Sequence, residues 1–274
     1  MKKVFLITFL LVSAMGSFGH GIDGCSGSFG NFFMNVSGNP SFVGLQHSYV
    51  FAQSTSTNFW GQPIKSINHG QNTSLSLRMA FGQRISAISN IPYLLNTSIT
   101  EGSSTSENGF GDSKFMLEYL VFKKSKEHSS SRVSILGGIE LPTGKVNDQI
   151  FLRSFSPGSG SLDFPIVLQY SFTNQKFSIF SKGIFQFNTQ NNQQFKFGNQ
   201  ASISSLVYKN IKKEKSFFQL GLGVEAFAFG NDEFETENGT VNYNNQLQSF
   251  GTSAECLMYF NGWVLKINTM MPVL

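Results

Sequence analysis

Polar and apolar positions alternate with a period of two along most of this chain from residue 41 onward. Within Phe110–Phe122, Ser113, Phe115, Leu117, Tyr119 and Val121 fall on one face, and Asp112, Lys114, Met116 and Glu118 on the other. Within 216–229, Phe218, Leu220, Leu222, Val224 and Ala226 oppose Gln219, Gly221, Gly223 and Glu225. Within 73–82, Leu75, Leu77, Met79 and Phe81 oppose Ser74, Ser76, Arg78 and Ala80. Successive side chains of a β-strand point to opposite faces, so this periodicity predicts strands. The pattern places them at 41–53, 72–83, 85–97, 109–122, 131–141, 162–172, 175–188, 196–208, 215–229, 247–259 and 262–272, with Phe32–Val36 as a possible short extra. Many exceed the five or six residues, roughly, that are usual in soluble sheets. An apolar face opposite a charged one suits a wall between lipid and water.

The connections sharpen this picture. Short ones, at 83–85, 123–130, 173–175, 209–215 and 260–262, alternate with longer ones at 54–71, 98–108, 142–161, 189–195 and 230–246. Tight turns on one rim and long loops on the other describe an outer-membrane barrel. A soluble β-sandwich has short strands too, but seldom such strict alternation. The expected fold is therefore all-β, a transmembrane antiparallel barrel of about twelve strands with short periplasmic turns and longer extracellular loops. Its register is well specified. A slip of one residue would turn Arg78 or Glu225 into lipid, at about 2–4 kcal/mol for a mid-depth Arg and less for Glu. Aromatics near strand ends, Phe172, Phe187, Phe218, Phe250, Phe260 and Trp263, are placed to form interfacial girdles.

Composition narrows the class further. The 274 residues include 30 Phe and 27 Gly but only 13% charged residues, against about 25% in ordinary soluble domains. No stretch after residue 16 approaches the ~20 apolar residues of a membrane helix, which excludes a helical membrane protein for the mature chain. The net charge of +4 clusters mainly at 123–127 and 209–215, in expected turns. These lysines read as solvated connectors and not as a nucleic-acid surface. Met1–Gly19, with two lysines, an apolar core at Val4–Val12 and small residues after it, reads as a secretory signal peptide. The expected organisation is a signal peptide at 1–19, an N-terminal periplasmic segment at 20–40 and the barrel at 41–274. The two cysteines, Cys25 and Cys256, offer neither a disulfide framework nor a metal spacing. Cys256 falls on the apolar face of its strand.

Candidate chemistry is sparse. Of the four histidines His20, His47, His69 and His128, only His47 falls in an expected strand. Its neighbour Ser48 points to the opposite face, so they cannot form a nucleophile–base pair. No catalytic residue, metal or cofactor is expected, and the chain is not read as an enzyme. The inner face is the site to consider. The register turns Arg78, Asp112, Lys114, Glu118, Glu140, Lys182, Glu225, Glu255 and Lys266 into the lumen, four cations and five anions. Such mixed charges line a solute path or pair into a brace. The absence of a ring of one sign argues against an ion-selective filter.

Certain residues carry a resemblance. Gly109-Phe110-Gly111-Asp112 opens a strand bearing Glu118-Tyr119, followed by Leu141-Pro142-Thr143-Gly144 and Pro157-Gly158-Ser159-Gly160-Ser161. With Phe42-Val43-Gly44-Leu45 and Ile91-Pro92-Tyr93, these motifs make the chain from about residue 25 onward similar to the phenol-degradation (MetA-pathway) outer-membrane barrels. That family is related to transporters of the long-chain fatty-acid type. The resemblance implies a monomeric outer-membrane barrel that passes small hydrophobic or aromatic compounds by diffusion. Its partners would be outer-membrane lipid, such solutes, and the outer-membrane assembly machinery. A structural or adhesive surface protein is the competing reading. Two features depart from the family. Its cysteine-rich N-terminal segment is here reduced to Cys25-Ser26-Gly27-Ser28, and the chain stops at Met271-Pro272-Val273-Leu274 after eleven expected strands. Bacterial barrels usually have an even count. Either Phe32–Val36 supplies the twelfth strand, or one follows Leu274; the second is favoured because Pro272-Val273 reads as the start of a loop.

Overall fold

The computed structural model describes residues 41–57, 63–100, 103–146, 156–213, 216–236, 239–243, 248–260 and 263–273. Its strands are β1 (Phe42–Thr57), β2 (Pro63–Phe81), β3 (Ile85–Thr100), β4 (Ser103–Phe110), β5 (Ser113–Lys126), β6 (Ser129–Leu141), β7 (Phe164–Asn174) and β8 (Phe177–Phe187). There follow β9 (Phe195–Lys196), β10 (Gln200–Lys213), β11 (Ser216–Phe229), β12 (Asp232–Thr236), β13 (Gly239–Tyr243), β14 (Gln248–Phe260) and β15 (Trp263–Val273). Eleven of them, β1, β2, β3, β5, β6, β7, β8, β10, β11, β14 and β15, form one closed wall. Neighbours run antiparallel except at the closing seam, where β1 and β15 pair parallel from Val43↔Trp263 to Val50↔Met270. An odd number of up-and-down strands brings the first and last into the same direction, so the ring can close only this way.

The barrel is inside-out relative to a soluble protein. Leu222 is 72% exposed and Leu117 62%, whereas Leu206 and Tyr208, which point inward, are fully buried. An apolar outer face of this extent is what lipid requires. Phe187, Phe250 and Trp263 are exposed on it, and Phe172 and Phe218 are half-buried on the same face. The side chain of Phe260 lies outside the described ones. Short turns join the strands at one rim, among them residues 82–84, where Gly82 takes a left-handed φ of 73°.

At the opposite rim the strands run further than their apolar pattern does. Residues 54–71, expected as a connection, are strand as far as Thr57 and again from Pro63, with β1 and β2 paired out to Thr57↔Pro63. Within the expected loop 98–108, β3 continues to Thr100 and β4 pairs with its upper half. Within 230–246, β12 and β13 form a hairpin that joins β9 in a separate small sheet. Backbone pairing there continues beyond the lipid, where no apolar face is demanded and alternation lapses. The lysine-rich turns shrink for a related reason. Lys123–Lys126 and Lys209–Lys213 are strand ends paired to their neighbours, with residues 127–128 making the first turn. In β5 a register shift between Leu120 and Phe122 leaves both Val121 and Phe122 facing outward. β5 itself opens at Ser113, after a break at Gly111-Asp112, and not at residue 109. Pro272-Val273, expected to begin a loop, still belongs to β15. The expected signal peptide at 1–19, the segment 20–40 with Cys25, and Phe32–Val36 lie outside the described residues.

Candidate functional site: three layers in the lumen

Near the short-turn rim the lumen is filled by apolar side chains. Phe42, Ile88, Met116, Leu136, Val167, Phe180, Leu206, Tyr208, Leu257 and Val264 form one buried cluster, drawn from nine different strands around the wall. It stands closest to that rim on β8 and β14, with Phe180 three residues into β8 and Leu257 three before the end of β14, and higher on β5 and β7, where Met116 and Val167 stand three residues from the long-loop end. We call this layer the septum. Inward-facing glycines make room for its largest members. Tyr208 lies directly opposite Gly221, Leu206 opposite Gly223, and Met116 opposite Gly138. A methyl group built on Gly221 would run into the Tyr208 ring, and one on Gly223 into Leu206. The glycines are therefore notches into which the neighbouring strand's side chain folds flat against the wall.

Toward the long-loop rim lie most of the charges. Lys182 Nζ stands 3.6 Å from Glu225 Oε1, Lys266 Nζ 3.0 Å from Glu255 Oε1, and Lys114 Nζ 3.0 Å from Glu140 Oε2. Nearer the short-turn rim, three residues before the end of β2, Arg78 Nη2 stands 2.5 Å from Glu118 Oε2 and donates to Ser86 Oγ at 3.2 Å. All eight side chains are buried and point inward. Two contacts step over an intervening strand. The Lys182–Glu225 pair bridges β8 and β11 across Ser204 of β10. The Tyr208 hydroxyl reaches over Gly221 to donate to Glu255 Oε2 at 2.5 Å. In such buried pairs desolvation offsets much of the Coulombic gain, but removing one partner strands the other charge.

The third layer lies at the long-loop rim, and its centre is Asp112. Among the nine expected lumen charges, Asp112 is the one whose carboxylate holds backbone and hydroxyl groups in place of a cation. It accepts Gly144 N–H at 2.8 Å, Ser159 N–H at 2.6 Å and the Ser159 hydroxyl at 2.8 Å. Asp163 repeats the arrangement, accepting Thr189 N–H at 2.8 Å and the Ser161 hydroxyl at 3.0 Å. Asn191 Nδ2 donates to the Ser159 carbonyl at 3.0 Å. Gln186 Nε2 donates to Glu140 Oε2 at 2.9 Å, tying this layer to the charges below. Ser156, Ser159 and Ser161 are thereby buried within the mouth. Gly111, Gly144 and Gly158 pack backbone against backbone around Asp112, leaving no space for a Cβ on any of them.

A family model described as "Putative MetA-pathway of phenol degradation" matches residues 52–268. The chain belongs to this family. The match spans all three layers of the lumen. In fold, the chain is similar to a crystal structure of an outer membrane channel from Pseudomonas putida F1, with a TM-score of 0.60 at 11% identity, covering 85% of this chain and 88% of that one. No curated protein matches the chain.

For this phenol-degradation family member, several lumen residues escaped the sequence reading. Arg132 is buried on the inner face of β6, with the same parity as Glu140 and beside the Glu118 charge, so its alternation could have found it. The septum left no such signal, because an inward apolar residue beside outward apolar ones only lengthens an apolar run. Ser159, in the expected connection 142–161, and Asp163 are brought to Asp112 and Thr189 by contacts between distant segments. His47 and Tyr49 face outward, bonded to Thr73 and His69, while Ser48 is buried on the inner face.

Proposed function

We propose that this protein is an outer-membrane channel for small hydrophobic solutes, aromatic compounds foremost, working by passive diffusion and without catalysis. The observation that carries the reading is the septum. A wide porin passes ions through a polar, water-filled lumen. Here a buried cluster of Leu, Val, Ile, Met, Phe and Tyr side chains from nine strands occupies the lumen. Such a constriction excludes water and ions by dewetting, while an apolar solute exchanges one apolar environment for another. The balanced charges on either side of it set no electrostatic preference. The family's description and the fold of the Pseudomonas channel point the same way. In this reading the chain is exported through a cleaved signal peptide, inserted by the outer-membrane assembly machinery, and functions as a monomer in the outer membrane, with Arg78, Asp112, Lys114, Glu118, Glu140, Lys182, Glu225, Glu255 and Lys266 lining the solute path.

Purified protein in liposomes should speed entry of phenol or toluene while leaving ion conductance low. Liposomes that admit no such solute would sink the reading. The cross-lumen pairs favour a second one, a structural or adhesive barrel whose lumen only braces the wall. Lys114→Ala, Glu225→Ala and Arg78→Ala discriminate between them. Under the channel reading they change solute entry at least twofold, roughly, beyond what lost folded protein explains; under the bracing reading only stability changes.

A further inference from the structure

We propose that the notch holding Tyr208 is the barrel's solute seat, shaped for a monohydroxylated aromatic ring, and that Tyr208 occupies it at rest and yields it to the solute. This names the substrate class within the channel reading and rests on that reading for its physiological meaning. A tyrosine side chain is a phenol carried on a backbone. The structure therefore displays a phenol bound in the lumen: its ring lies flat over Gly221, where no side chain competes. Leu206 and Leu257 belong to the same apolar cluster. Its hydroxyl donates to Glu255 Oε2, whose other oxygen stands 3.0 Å from Lys266 Nζ. Glycine floor, apolar sides and a cation-balanced carboxylate acceptor at the far end make a complete receptor for Ar–OH.

The energetics favour exchange. Opening an empty void in a packed layer is costly, because the lining atoms lose their contacts. Swinging Tyr208 out while a phenolic ring moves in conserves both the buried ring and the hydrogen bond to Glu255. An arene without a hydroxyl fills the volume but leaves the carboxylate without its donor. An aromatic acid brings a second negative charge to Glu255 and is rejected by like-charge repulsion.

The test uses the purified full-length barrel in planar bilayers, with Tyr208→Ala to vacate the seat. Tyr208→Ala should conduct ions well above wild type. p-Cresol, the tyrosine side chain itself, should restore low conductance at about tenfold lower concentration than toluene. 4-Methylbenzoate should not restore it. Adding Glu255→Gln should narrow the preference for p-cresol over toluene. Gly221→Ala is the second variant: it also displaces the Tyr208 ring and raises conductance, but p-cresol should not suppress it because the new methyl fills the notch. If Tyr208→Ala folds yet stays closed, p-cresol must still raise its unfolding temperature in preference to toluene. Equal potency of p-cresol and toluene, or no effect of either, overturns the seat even where wild-type liposomes take up phenol. Selective rescue by p-cresol without any uptake upholds the seat, and the channel reading then fails alone.

Discussion

Two layers of the lumen, the long-loop mouth and the septum, are held together by opposite physical means. The mouth concentrates its hydrogen bonds on two carboxylates, Asp112 and Asp163, and depends on backbone approach at Gly111, Gly144 and Gly158. The septum spreads its packing over side chains from nine strands, with Tyr208 its one hydrogen-bonding member. Directional bonds converging on one group make a closure that a single substitution can undo, since a buried donor without a partner bears its full desolvation cost. Nondirectional packing makes one that thins gradually as volume is removed. A barrel whose two layers fail so differently can lose its mouth network without losing its septum.

The sharpest way to break that contrast is Asp112→Ala. It removes the acceptor of three hydrogen bonds to a charged group, each contributing roughly 1.5–3 kcal/mol, so about 5 kcal/mol should be lost. Unfolding of the purified barrel in lipid vesicles, followed by its heat-dependent gel mobility, measures this. Protease sites around Pro157-Gly158 should become cleavable, while ion conductance stays low because the septum is intact. Conductance equal to a porin's would show that the mouth, not the septum, bars ions.

Next in size is Lys182→Met, which strands the buried Glu225 carboxylate and should cost about 3–5 kcal/mol. Although the charged layer lies just above the septum, it should fail as the mouth fails, all at once, in the same unfolding measurement. Leu206→Ala comes third, at about 2–4 kcal/mol from lost burial and the remaining cavity. Its conductance should rise little, because Leu136, Phe180 and Leu257 still close the layer. Leu206→Ala combined with Leu136→Ala should conduct measurably more than the sum of the single variants. Simple additivity would mean that each side chain guards its own path.

The same contrast decides what could be read from the chain beforehand. The wall was legible because lipid enforces parity: Leu220, Leu222 and Val224 must face out, so Gln219, Gly221 and Glu225 face in. Charges such as Lys182 and Glu255 betray the lumen because they have nowhere else to go. β4 and the β12–β13 hairpin were not legible, since strands standing clear of lipid need no apolar face. Nor was the septum. Leu206 beside Val207 reads as one apolar run, and only the barrel's closure separates an inward residue from a lipid-facing one. The mouth was half legible. Its glycines stood out as motifs, yet they read as a strand start and a connection, because the contacts from Asp112 to Gly144 and Ser159 span 32 and 47 residues.

The smallest expected effect tests whether the charges above the septum are needed for closure at all. Lys182→Met together with Glu225→Gln removes both charges of one pair and keeps most of the side-chain volume. Because desolvation of a buried pair nearly cancels its attraction, the double variant should lie within about 1 kcal/mol of wild type, far from the single change. Ser204, bridged by that pair, remains covered by side chains of similar volume. Ion conductance should stay at the wild-type level, since the septum is untouched. A conductance rise at unchanged stability would move the ion barrier from the apolar layer to the charged one, and the two closures would then work by the same directional means.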